Sequence, residues 1–470
     1  MKNLIHKLHL PNWLVGILAL VLLLRIPSFF EPYYHGDEMI YLTLGQGIRQ
    51  GLTLYSQIFD NKPPLLYLTA AIAGNLFWFK VILTFWSLAT VVTFWKLAKG
   101  KIATLIFALA ITFPPLEGNT VNAELFMIFP TLLAFYFLLS KNLTPNLLIL
   151  SGALFGIATL FKMPAAFDLP IIIVYWFFTK QKNLIKNSAY LFFGFFSPIV
   201  LTFIWYFFAG ALPEYFRAAF LQNIGYLGSM KPSINIPFFV RGAVLLAGLA
   251  TIYIFRKKLS NNFILFCVWT LFSLFAVALS QRPYPHYLIQ VAAPASFLLS
   301  MFFTKKNREQ AFAVIPLTLI FFVPFFYKFY NYDTFAYYQR FVNFAVGKTN
   351  KDAYFKSFSV ETPRNYEIAN FLATSSSTNE RVFVWDSDAP TIYALSRRLP
   401  PIKFTAPYHV ADYSNKREVS KEINQNLPRF IVLTDKFPLP EIMNLIREKY
   451  ILIAQIDDAN IYSKISGVAF

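Results

Sequence analysis

Tyr34-His35-Gly36-Asp37-Glu38 and Asp60-Asn61-Lys62-Pro63-Pro64-Leu65 frame the stretch whose reading decides the fold. The stretch lies between two long apolar runs and is the most polar part of the first third of the chain. It carries adjacent carboxylates at Asp37 and Glu38, a third at Asp60, and the cation Lys62 braced by Pro63 and Pro64. Tyr41, Leu44 and Ile48 recur at helical spacing and Gly51 follows as a stop, so a short amphipathic helix is expected between the two motifs. A connector between two spans has no need of so many acids. A loop tied down by a helix and by proline reads instead as a site placed at a membrane surface.

Composition agrees. Of 470 residues, 56% are hydrophobic and only 14% are charged, which excludes an ordinary soluble protein. Apolar runs close to the ~18 residues that cross a bilayer as a helix recur through the first 330 positions. The formal charge of +18 falls mostly in short Lys/Arg clusters between those runs, the pattern of cytoplasmic loops and not of a nucleic-acid surface. The single cysteine, Cys267, excludes an intrachain disulfide.

Taken in order, the runs predict about eleven spans. They are Trp13–Phe30, Phe79–Leu97, Ile102–Phe113, Leu125–Leu139, Leu147–Phe161, Ala165–Phe178, Tyr190–Phe208, Phe238–Phe255, Phe263–Ser280, Tyr287–Phe303 and Phe312–Tyr327. The first is read as a retained span, since no small-x-small cleavage site follows it. With the N-terminus in the cytoplasm, the clusters at Lys96–Lys101, Lys180–Lys186, Arg256–Lys258 and Lys305–Arg308 all fall inside, as does Lys141. The loops bearing Asp37, Glu124, Lys162, Arg217 and His286 then fall outside; the Arg217 loop is long and also holds Glu214, Tyr215, Asn223 and Tyr226. Beyond Tyr327 the chain turns polar, with helices at Tyr366–Thr374, Pro390–Ser396 and Leu439–Lys449. Strands are expected at Arg381–Trp385, Arg429–Thr434, Ile451–Ile456 and Asn460–Lys464. The expected architecture is a polytopic α-helical membrane domain over residues 1–329, with a first outer loop at 31–78, and a small extracytoplasmic α/β domain over 330–470. No internal repeat is visible.

The outward loops collect carboxylates at Asp37, Glu38, Asp60 and Glu124, and cations at Lys62, Lys162, Arg217 and Arg282, with His286 nearby. A carboxylate can take the proton of an acceptor hydroxyl, and Lys or Arg can stabilise a phosphate as it leaves. Such a set suits transfer of a sugar from a lipid phosphate. Each residue has a plainer reading beside it: Asp37 and Glu38 as first-turn acids of a helix, Glu124 the same for the next span, Lys162 as a snorkelling loop cation.

In their order along the chain these pieces resemble bacterial membrane glycosyltransferases of the GT-C fold, in the group of protein O-mannosyltransferases and the lipid A aminoarabinose transferase. The resemblance rests on Asp37-Glu38 with Tyr41, Gly51 through Tyr55, Asp60-Asn61-Lys62-Pro63-Pro64-Leu65, Asn122-Ala123-Glu124, Lys162 and Arg282-Pro283-Tyr284-Pro285-His286-Tyr287. Arg381-Val382-Phe383-Val384-Trp385 with Ile392-Tyr393 extends it into the tail. It implies a metal-independent, inverting transfer from a polyprenyl-phosphate sugar, with Asp37 as base, Lys62 on the donor phosphate and Glu124 in support. The candidate set is Asp37 and Glu38 as catalytic groups and Lys62, Lys162, Arg282 and His286 for the donor phosphate. Tyr41, Asp60, Asn122, Glu124 and Arg217 complete it as acceptor-side or supporting groups. No cofactor is expected; a divalent ion at His35, Asp37 and Glu38 is the less favoured reading. The expected partners are the bilayer, the lipid-linked donor and a protein, lipid or glycan acceptor. The rival class is a multi-span transporter or lipid-linked glycan flippase. It would place ionisable residues at mid-membrane in repeated halves, whereas here the spans read as nearly free of charge.

Overall fold

Long apolar runs leave the backbone one way to satisfy its amides in a bilayer, and each forms a helix. The computed structural model describes residues 10–140, 142–223, 236–280, 282–303, 308–326, 328 and 332–465. Seven of its helices are long and apolar enough to cross a membrane: Asn12–Phe30, Leu76–Ala98, Leu184–Phe208, Phe238–Lys258, Asn261–Ala278, Pro285–Phe303 and Arg308–Phe326. Four shorter apolar helices, Lys101–Ala110, Ala123–Leu138, Pro145–Phe161 and Met163–Thr179, occupy the other four runs expected to span. The chain is a multi-pass membrane protein. Lys141, Tyr226, Lys305, Lys306 and Tyr327 lie outside the described residues.

The chain forms two compact units, and they do not divide at residue 330. One comprises residues 1–28, 81–208 and 219–334; the other comprises 29–80, 209–218 and 335–470. Residues 31–78, expected to form the first outer loop, thus fall in the same unit as the C-terminal segment. Some of their polar groups and aromatic rings find partners in that segment, among them Thr43, Phe59 and Asn61.

In the first unit, local sequence sets the helix ends. Asn122, Thr144 and Ser260 accept the backbone N–H three residues on, at Leu125, Leu147 and Phe263. Lys99 and Lys180 close helices in left-handed conformation, with φ of 54° and 57°. Gly152 and Gly156, spaced Gly-x-x-x-Gly, press Pro145–Phe161 directly onto the backbone of Leu184–Phe208 near Leu191 and Phe195, and Gly194 returns the contact near Ile149. Such small-residue seams let membrane helices approach where apolar burial gives little drive. On its other side Leu184–Phe208 exposes Phe193, Leu201, Trp205 and Phe208, as a lipid-facing helix does. Two cations do lie within expected spans, Arg25 in the first unit and Lys80 in the second. Arg25 is buried and donates Nη2 to the Ile111 carbonyl at 2.9 Å, and Lys80 is fully buried. Both have found partners, which is how a buried cation is tolerated.

In the second unit, Gly36–Arg49 forms the expected first-loop helix, but it is buried on most sides instead of lying amphipathic on a surface. Gly45 admits Leu65–Ala73 to one face, since a Cβ there would lie 2.7 Å from the Ala71 nitrogen. Ala389–Ser396 covers another part, where Thr43 Oγ1 donates to the Pro390 carbonyl at 3.2 Å. Gly74, at φ 71°, breaks the apolar block at 65–97 into Leu65–Ala73 and Leu76–Ala98.

The C-terminal sheet has order β1-β2-β4-β3, from Val382–Trp385 (β1), Phe430–Thr434 (β2), Tyr450–Ile456 (β3) and Ala459–Lys464 (β4). β1 and β2 are parallel and the other pairs antiparallel. Ile368, Leu372, Val384, Ile392, Val432 and Ile461 form the core between sheet and helices. Helices Thr334–Ala345, Lys351–Lys356, Pro407–Tyr413 and Lys416–Gln425 add to those expected. The segment after Phe208 is less of a loop than its sequence suggests: Leu212–Phe216 is helical and the helix continues to Asn223.

Candidate active site

The first-loop motifs converge within the second unit. Asp37 stands in the first turn of Gly36–Arg49, where a carboxylate is favoured by the helix dipole. Tyr41, one turn on, donates its hydroxyl to Asp37 Oδ2 at 3.0 Å. Lys62 Nζ lies 3.8 Å from Asp37 Oδ2 and 3.7 Å from Asp60 Oδ2, and 5.1 Å from the Tyr41 ring centroid. Asp37 and Lys62 keep 30% and 22% of their side chains exposed, whereas Asp60 keeps 1%. An accessible carboxylate therefore faces an accessible cation, with a buried carboxylate behind the cation.

Asp60 is fixed from several directions. It accepts from the Tyr67 hydroxyl at 2.7 Å and from the Asn61 N–H at 2.7 Å, and His409 Nε2 stands 3.5 Å away. Burial together with the Asp60 charge raises the Tyr67 phenol well above its ordinary range, so it stays a donor. The Lys62 carbonyl accepts from Tyr55 at 2.8 Å, and the Tyr55 ring packs on Tyr215 at 5.3 Å. Lys62 is thus held through its main chain while its ammonium remains reachable.

Glu38 is placed differently from Asp37, although the two are adjacent. It is fully buried, with Oε1 2.6 Å from Lys80 Nζ, which in turn lies 2.8 Å from Glu31 Oε2. The Tyr337 hydroxyl donates to Glu31 Oε1 at 2.6 Å. Burial pushes the Glu38 carboxyl up, against the pull of Lys80. Glu38, expected beside Asp37 as a catalytic group, thus sits in a buried ion pair with Lys80.

The remaining candidates lie in the first unit, apart from Arg217. Lys162 ends Pro145–Phe161, pairs with Glu124, and stands 3.9 Å over the Tyr287 ring. His286 pairs through Nδ1 with Glu117, while its Nε2 lies 3.8 Å from Glu124 Oε1. Glu117 was not foreseen; it sits in a left-handed turn at φ 53°, fixed by a Gly118 packed against the backbone of Thr112. Asn122 is a cap: its Oδ1 accepts from Leu125 N–H at 3.0 Å, and its Nδ2 donates to the Glu117 and Thr120 carbonyls at 3.1 and 3.2 Å. Arg282 is half-buried, and its backbone N–H donates to Ser280 Oγ at 3.4 Å. Arg217 is exposed, in the second unit, at the end of Leu212–Phe216. Among the described residues no group of three or more His, Cys, Asp or Glu side chains is placed to hold a metal ion.

Sequence reasoning missed Glu31, Lys80, Tyr67, His409 and Glu117. Glu31 follows two phenylalanines and Lys80 sits inside an apolar run, so neither stands out from its surroundings. His409 carries no local motif.

The apolar helices and the small C-terminal sheet together have a GT-C-like fold. The structure of ArnT from Cupriavidus metallidurans bound to undecaprenyl phosphate is similar at a TM-score of 0.59 and 13% identity, covering 97% of this chain and 98% of that one. The apo state of the same protein gives 0.58 and 14% over the same shares. The archaeal oligosaccharyltransferase AglB from Archaeoglobus fulgidus, in complex with an inhibitory peptide and a dolichol-phosphate, aligns more loosely. It has a TM-score of 0.46 and 13% identity over 90% of this chain and 69% of that one. Residues 363–464 match the family described as "Putative competence-induced protein Ccs4 C-terminal domain". A search of curated proteins gives no match.

Proposed function

We propose that the chain is a glycosyltransferase that moves a sugar from a polyprenyl-phosphate donor to a hydroxyl acceptor, with inversion, on the outer face of the cell membrane. The observation that carries this reading is the pair of accessible groups, Asp37 and Lys62, whose charged atoms are 3.8 Å apart. Asp37 accepts the acceptor's hydroxyl proton as the acceptor oxygen forms its bond to the anomeric carbon. The bond from that carbon to the phosphate oxygen breaks with its electron pair, and the charge gathering on the polyprenyl phosphate is met by Lys62. Attack from the face opposite the leaving group inverts the carbon. Tyr41 orients Asp37, and Asp60 holds Lys62. The fold shared with a protein crystallised with undecaprenyl phosphate supports a lipid-linked donor. Lys162, Arg282 and His286 stand as further proposed donor-phosphate contacts. Glu124 and Arg217 stand as supporting groups. The N-terminus is proposed to be cytoplasmic and the C-terminal domain extracytoplasmic. Transfer is proposed to need no metal, so activity should survive chelation.

The test is release of labelled sugar from a polyprenyl-phosphate hexose or pentose by purified protein, comparing native chain with Asp37→Asn. Asparagine keeps the shape and cannot take the proton, so a loss of at least about a hundredfold is expected. Equal turnover by both would remove Asp37 from the mechanism. Failure of the native protein to bind any such lipid would favour a transporter.

A further inference from the structure

Three consecutive residues before Lys62 are each gripped by one short segment from far along the chain, within the same compact unit. Phe59 donates its N–H to the Lys403 carbonyl at 2.9 Å, and its ring meets Phe404 at 5.2 Å and Tyr413 at 5.2 Å. Asp60 faces His409 Nε2 at 3.5 Å. Asn61 donates Nδ2 to the Tyr413 hydroxyl at 2.7 Å. His409 and Tyr413 are both carried on the helix Pro407–Tyr413.

Resting on the donor-phosphate reading of Lys62, we infer that His409 and Tyr413 are positioning residues for that lysine, acting through Asp60 and Asn61. The segment Lys403–Tyr413 thereby makes the C-terminal domain part of the donor site. The chemistry is consistent. An ammonium on four methylenes is placed by its backbone and its counter-ion, since the stem itself is flexible. Tyr55 fixes the Lys62 carbonyl, and Asp60 is the counter-ion. Asp60 in turn is set by Tyr67 on one side and His409 on the other. Burial keeps the His409 imidazole below its usual pKa, against the opposing pull of Asp60. A neutral ring can donate Nε2–H to the carboxylate without cancelling its charge. Asp60 therefore remains available to Lys62.

The experiment pairs two readouts on native protein, Tyr413→Phe, His409→Gln and each combined with Lys62→Ala. Amide hydrogen exchange of the peptide spanning 57–64 reads whether the loop is held. Binding of undecaprenyl phosphate in nanodiscs reads whether Lys62 is placed for a phosphate. Faster exchange is expected in both single variants, with binding about tenfold weaker, as for supporting groups around a bound ion. In the Lys62→Ala background neither change should weaken binding further, because residues acting through one another are not additive. Unchanged exchange would overturn the positioning role. So would effects on binding that multiply with that of Lys62→Ala, or faster exchange with native binding retained. If the native protein binds no undecaprenyl phosphate, the donor-site reading of Lys62 fails, while the exchange data still decide whether the segment holds the loop.

Discussion

Replacing Lys80 with methionine keeps most of the side chain's volume and removes the cation that pairs with both Glu31 and Glu38. At an effective dielectric of ~20, unit charges 2.6 and 2.8 Å apart attract by about 6 kcal/mol per pair before desolvation is set against them. Desolvation of three buried groups consumes most of that, so the triad adds little net stability as a whole. Removing one partner is different: it strands the other two, at a cost of about 3–5 kcal/mol. Lys80→Met should therefore lower the thermal midpoint in detergent by about 5–15 °C. The pH dependence follows from Glu38. Its carboxyl is raised by burial, so its contribution to stability is fully present below the ordinary carboxylate range and is lost as pH rises through the raised value. Without Lys80 two carboxylates confront each other. The deficit should be largest at neutral pH and shrink at acid pH as Glu38 takes a proton. Adding Glu38→Gln should recover part of the loss at neutral pH. A midpoint equal to the native one at neutral pH would refute the reasoning, as would a deficit that does not change between the two pH values.

The seam between Pro145–Phe161 and Leu184–Phe208 gives a second prediction. Gly152→Leu forces a side chain into backbone and should cost about 3 kcal/mol or more, seen as a lower midpoint and a lower yield of folded protein. Full retention of both would show that the helices do not meet there. Third, Asn122→Ala removes the cap of Ala123–Leu138 and should cost about 1 kcal/mol of stability. Loss of transfer activity at an unchanged midpoint would instead give Asn122 a direct part in the chemistry.

The apolar runs made the helices legible, because helix formation in a bilayer is demanded by every backbone amide in the run. The strands of the C-terminal sheet were legible for a related reason: Val382–Trp385 and Phe430–Thr434 are short, mostly β-branched or aromatic, and bounded by polar residues. Asp37, Tyr41, Asp60 and Lys62 could be grouped because they lie within one short stretch. What could not be read was partnership over distance. Glu38 looked like its neighbour Asp37, and only the fold turned it toward Lys80, while Asp37 stayed open to solvent. Asn61 and Tyr413 are separated by 352 positions, and no periodicity links them. The added helix Lys416–Gln425 shows little in the sequence because only Val419 and Ile423 mark its buried stripe.

The grip of Pro407–Tyr413 on the Lys62 loop has a consequence in time. Asn61 leaves the ribosome 352 residues ahead of its partner Tyr413. At the ~5–20 residues per second of protein synthesis, the loop waits on the order of 20–70 s before that partner exists. Throughout that interval Phe59 lacks its aromatic neighbours and Asp60 lacks its histidine. A nascent chain arrested before residue 403 would already hold its apolar helices and the Tyr55 and Tyr67 contacts of the Lys62 loop, and still lack the C-terminal grip on it. The order of synthesis thus makes fixing of this loop one of the last events in the maturation of the protein.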